Sequence, residues 1–135
     1  MRKPTSRRDR VIWCNRGWYP VYYGFCPSES AWNRELKRLS VKRESYPTVD
    51  ARTTHLENAK GDLCCIVTMR STKRGEVNAI QRAALFAHEA VHVWQAIREN
   101  IDEQSPSHEM EAYAVQAIAQ ELMLAYEKTR GKLWA

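Results

Sequence analysis

Residues 62–69, DLCCIVTM, constrain the fold more than any other stretch of this chain. The run is nearly all apolar, and turn-forming segments bound it, NAKG before and RSTKRG after. A short apolar run between turn signals reads as a strand. With almost no polar face, it calls for cover on both sides. Residues 48–57 (TVDARTTHLE) read as a second strand, which NAKG joins to the first as a hairpin.

Two further segments surround this pair. WYPVYYGF (18–25) is rich in aromatic and branched residues and reads as a strand, with Pro20 pushing it toward an edge or limiting its start. In CPSESAWNRELKRLS the period changes: Trp32, Leu36 and Leu39 recur at helical spacing, and Arg34, Lys37 and Arg38 take the other side. Ser28 or Ser30 is available as N-cap, so a short amphipathic helix is expected over 28–39. A long helical pattern runs from about Glu76 to Asn100. A last helix opens at SPSHE, with Ser105 as cap and Pro106 in the first helical position, and runs to about Lys128. The order is strand, helix, strand, strand, helix, helix, without internal repeat or linker.

At 135 residues the chain is one domain's worth, and 44% hydrophobic with 27% charged residues is a globular composition. The net charge of +5 is uneven: residues 1–10 hold five basic groups and one acid, leaving +1 for residues 11–135. We therefore expect a basic, disordered tail at 1–10 and a single domain over 11–135. No apolar run long enough for a signal peptide follows the tail arginines, and no segment has membrane-spanning length, so a cytoplasmic protein is expected. Cys14, Cys26, Cys64 and Cys65 form no C-x-x-C, and in that compartment they read as buried free thiols.

The chemistry concentrates in FAHEAVHVWQ, residues 86–95. On a helix, residues four apart share a face, so His88 and His92 can aim two imidazole nitrogens at one point while Glu89 reaches a water bound there. With four histidines and twelve glutamates in 135 residues, composition alone yields roughly one hundredth of an H-E-x-x-H match. Val77, Ile80, Ala84, Ala87, Val91 and Trp94 read as the core stripe of this helix, with Leu85, His88, His92 and Gln95 on the adjacent stripe. Trp94 and Gln95 read as packing or helix contacts.

A catalytic zinc takes three protein ligands and keeps a position for water. A third histidine at metzincin spacing is absent, because Gln95 and Arg98 stand where that pattern needs Gly and His. The candidates are His108, Glu109 and Glu111 at the start of the final helix. Glu111 shares a stripe with Val115, Ile118 and Leu122, whereas Glu109 lies about 200° away and faces water. His108 is about 60° from Glu111 and is the second candidate.

HEAVH followed on the next helix by EMEAYAVQ, with eighteen residues between His92 and Glu111, resembles the gluzincins, the thermolysin-like zinc metallopeptidases. More narrowly, it resembles minimal gluzincin domains of phage and prophage type. The resemblance covers about residues 62–126. It implies zinc held by His88, His92 and Glu111, with Glu89 as general base. It also implies an α+β, minimal zincin-like fold: a small, mostly antiparallel sheet on the 76–100 helix, the 105–128 helix closing the site and the 28–39 helix covering another part. A substrate peptide would lie along an edge strand from the 48–69 hairpin. The larger enzymes carry an aspartate four residues after the glutamate to support a histidine; Val115 stands there, so another group must orient the imidazoles.

The expected activity is zinc-dependent hydrolysis of a peptide or protein substrate, with Glu89 activating the metal-bound water and Tyr113 or His55 as donor to the oxyanion. The competing expectation is a nucleic-acid- or virion-associated module in which zinc stabilises the fold and residues 1–10 bind phosphate.

Overall fold

The computed structural model describes residues 9–71 and 77–134. The greater part of the basic tail and the expected helix start at Glu76 lie outside the described residues. The elements are β1 (Ile12–Trp13), β2 (Tyr22–Cys26), α1 (Glu29–Arg38), β3 (Ala51–Glu57), β4 (Leu63–Met69), α2 (Ala79–Asn100) and α3 (His108–Arg130). The strands form one sheet in the order β1-β2-β4-β3. Its outer pairs, β1/β2 and β3/β4, are antiparallel, and the central pair β2/β4 is parallel. The fold is α+β with a mixed sheet.

The sequence of β4 explains the layering. Side chains alternate across a strand, so Cys65, Val67 and Met69 join the core beneath α2 and α3, while Cys64 and Ile66 meet Trp32 and Leu36 of α1. Both faces are covered, as the apolar run requires. The turn after β3 is built by Asn58, whose Oδ1 accepts from the N–H groups of Lys60 and Asp62. Gly61 supplies the positive φ of 86° that closes it.

The strand expected at 18–25 is corrected in two ways. It starts at Tyr22, because Pro20 lies in the preceding turn, and it is central, because the two-residue strand β1 pairs along its other side. The edges are β1 and β3. α1 begins after Ser28, whose hydroxyl accepts from the Ala31 N–H.

Both long helices differ from expectation in detail. α2 is capped by Asn78, which exchanges side-chain and backbone hydrogen bonds with Gln81. Its buried face is Phe86, Glu89, Ala90, Val93, Trp94 and Ile97, whereas Ile80 is 70% exposed, Val91 is 38% exposed and Ala84 and Ala87 face outward. The centre of the buried face thus lies about 120° from that of the expected stripe, with Trp94 common to both. Two stripes of equal period compete in this sequence, and the one carrying Phe86 and Ile97 removes more apolar area from water. α3 starts at His108 rather than near Ser105, because Ser107 is the residue whose hydroxyl accepts from the Met110 N–H. No described helix is long and apolar enough to cross a membrane.

Candidate metal centre

The rotation of α2 decides where its chemistry faces. His88 is exposed and His92 half-buried, and their Nε2 atoms stand 3.2 Å apart. Two nitrogens bound to one tetrahedral zinc at the usual 2.0–2.1 Å lie roughly 3.3 Å apart. The pair therefore has the spacing of two corners of such a site. His92 Nδ1 lies 3.0 Å from Oε1 of Gln95. An amide oxygen only accepts, so in this contact Nδ1 is the donor, and Nε2 is the nitrogen that faces His88.

Glu89 points the other way, into the junction of α2 with the edge strand. It is only 3% exposed, and its Oε1 accepts a hydrogen bond of 2.8 Å from the Thr53 hydroxyl of β3. Position 89 lies about 60° around the helix from His92, on the buried side of that residue. His55 is two residues beyond Thr53 and so shares its face of β3, and it is exposed.

Glu111 is half-buried in the first turn of α3. Its Oε2 accepts from the Trp94 indole N–H at 2.8 Å and stands 3.9 Å from Nη1 of Arg98. Among the described residues no three His, Cys, Asp or Glu side chains come together as a metal-holding group. The histidines converge, and Glu111 stands at the neighbouring helix, anchored by α2 residues two and six positions beyond His92. Tyr113 is 66% exposed and His108 is exposed, and neither meets the histidine pair in a hydrogen bond. Val115 packs against the core.

Thr53 escaped the sequence reading, and Trp94 and Gln95, read as packing or helix contacts, also carry hydrogen bonds to Glu111 and His92 that it did not name. Gln95 was within reach of it, because i and i+3 are neighbours on a helix. Thr53 was not, since it meets Glu89 only through the packing of β3 on α2. A cavity of about 460 Å³ lined by Trp13, Tyr22, Leu39, Lys60 and Cys64 lies on the α1 side of the sheet and shares no residue with this group. Compared with known proteins, the chain matches no family model, no curated protein and no solved structure.

Proposed function

We propose that the chain is a zinc-dependent hydrolase, an endopeptidase by preference, built on a minimal zincin-like arrangement. The observation that carries this reading is the convergence of His88 and His92 at 3.2 Å beside a buried glutamate that neither packing nor a structural metal requires. His88, His92 and Glu111 would hold the ion. When bound, zinc would supply a Lewis acid for the scissile carbonyl and lower the pKa of its water to about 7.

The protein's own groups then divide the work. Oε1 of Glu89 is engaged by Thr53, which leaves Oε2 to take a proton from the attacking water. The same oxygen returns that proton to the leaving amine as the C–N bond breaks. With Gln95 accepting from Nδ1 of His92, Nε2 would be the nitrogen offered to the ion. β3 is an unpaired edge beside α2, which supports docking of an extended peptide next to Glu89. Tyr113 and His55, both exposed, are the candidate donors to the oxyanion.

The test is zinc content and cleavage of a denatured protein substrate by wild type, Glu89→Gln and His92→Ala. Glu89→Gln should keep its zinc and lose cleavage by about 10²–10⁴-fold. His92→Ala should lose both. Unchanged cleavage by Glu89→Gln would overturn the mechanism.

A further inference from the structure

Val115 leaves the metal site without the carboxylate that would orient its ligands, and the structure offers two other groups, on adjacent residues of α2. We infer that Trp94 and Gln95 are the positioning residues of this site, Trp94 holding Glu111 and Gln95 holding His92. The inference rests on the zinc-hydrolase reading and adds to it the groups that prepare the ligands.

The two contacts differ in kind. Trp94 is 1% exposed, so its indole N–H is fixed by packing on all sides, Tyr19 among them at a ring separation of 6.4 Å. A buried indole N–H needs an acceptor, and the one it meets is Oε2 of Glu111 at 2.8 Å. With Oε2 so engaged, Oε1 is the oxygen through which Glu111 would meet an ion. Arg98 approaches the same Oε2 at 3.9 Å from the solvent side and adds charge without a close hydrogen bond. Gln95 acts at the opposite edge of the pair. Its side-chain carbonyl accepts from Nδ1 of His92 at 3.0 Å, which sets the tautomer and limits ring rotation.

Adjacent residues on a helix point about 100° apart. That angle lets one dipeptide serve both ends of the site, with Trp94 reaching inward to α3 and Gln95 staying with its own helix. Neither residue touches the reacting atoms, so their effect should appear in metal affinity.

The experiment measures Zn²⁺ affinity of the metal-free full-length protein by competition with a chromogenic chelator, alongside the Co²⁺ absorption spectrum and thermal unfolding without metal. The variants are Trp94→Phe, Gln95→Leu, Gln95→Glu, Glu111→Ala and Trp94→Phe combined with Glu111→Ala. We expect Trp94→Phe and Gln95→Leu each to weaken zinc binding by about 10- to 100-fold. Gln95→Glu, which still presents an acceptor oxygen, should bind nearly as wild type. Once Glu111 is alanine, Trp94→Phe should have no further effect. A loss that persists in the double variant overturns the Trp94 assignment, because the indole then acts through packing. Wild-type affinity in Trp94→Phe and Gln95→Leu, with affinity lost in Glu111→Ala, overturns the inference and leaves the ligand set standing. Wild-type affinity in Glu111→Ala removes the ligand set instead. If Trp94→Phe fails to fold, exposed Gln95 still tests its half.

Discussion

Thr53 and Glu89 meet across the junction of β3 and α2, the threonine hydroxyl donating to the glutamate Oε1 at 2.8 Å. A carboxylate that is 3% exposed needs such a donor, because burying it without one is costly. Thr53→Val keeps the shape and removes the donor. We predict a loss of about 1–3 kcal/mol in urea unfolding. Pairing it with Glu89→Leu, which removes the stranded acceptor, should recover most of that loss. A Thr53→Val protein as stable as wild type would mean that the bond contributes nothing.

The orientation of α2 yields a second pair of expectations. Ile80 is 70% exposed and Phe86 is fully buried, although the sequence reading placed Ile80 in the core stripe. Ile80→Lys should change stability by no more than about 0.5 kcal/mol. Phe86→Ala should cost about 3–5 kcal/mol, since the ring packs edge-on against Phe25 and Tyr126. Chemical denaturation of both variants checks the rotation directly, and the reverse order would restore the other stripe to the core.

This helix shows where the sequence was legible and where it was not. Element type was readable wherever local chemistry decides it: the apolar run of β4, the Ser28 cap of α1 and the turn at Asn58. The approach of His88 to His92 was also readable, because i,i+4 geometry is local to one helix. What failed depended on competition between surfaces. Ile80 and Phe86 carry similar periodic signals, and only the fit against the sheet separates them. Likewise nothing near Tyr22 announces that Ile12 and Trp13 will pair beside it and make β2 central. Glu111 was read as pointing inward and is half-buried, and its engagement by Trp94 depends on the spacing between α2 and α3.

Gly24 offers a test of that unannounced pairing. A Cβ built at this position would stand 2.7 Å from the Ile12 carbonyl oxygen and 3.0 Å from Cε3 of Trp13. The nearer atom is backbone, so β1 itself would have to move. Gly24→Ala should therefore destabilise the protein by about 1–3 kcal/mol, as overpacking does. A thermal melt equal to wild type would show that β1 does not lie against β2.

The cysteines give a prediction in pH. All four are free, and burial pushes their thiols up from the ordinary 9.0, to about 12 for Cys14, Cys26 and Cys65 and about 11 for Cys64. Above pH 9.0 the unfolded chain releases thiol protons that the fold retains, so the unfolded state binds fewer protons and stability falls as pH rises. The contribution is fully present below 9.0 and is lost progressively as pH climbs toward about 11 to 12. Buried Tyr23 and half-buried Tyr19 and Tyr46 are raised chiefly by the same desolvation and add to the fall at the upper end. At about pH 8 the same shifts make thiolate roughly 100- to 1,000-fold scarcer in the fold than in the unfolded chain. Iodoacetamide should therefore label the native protein much more slowly than the urea-unfolded protein. Rapid labelling of native Cys64 and Cys65, followed by mass spectrometry of the peptide that carries both, would contradict their burial on opposite faces of β4.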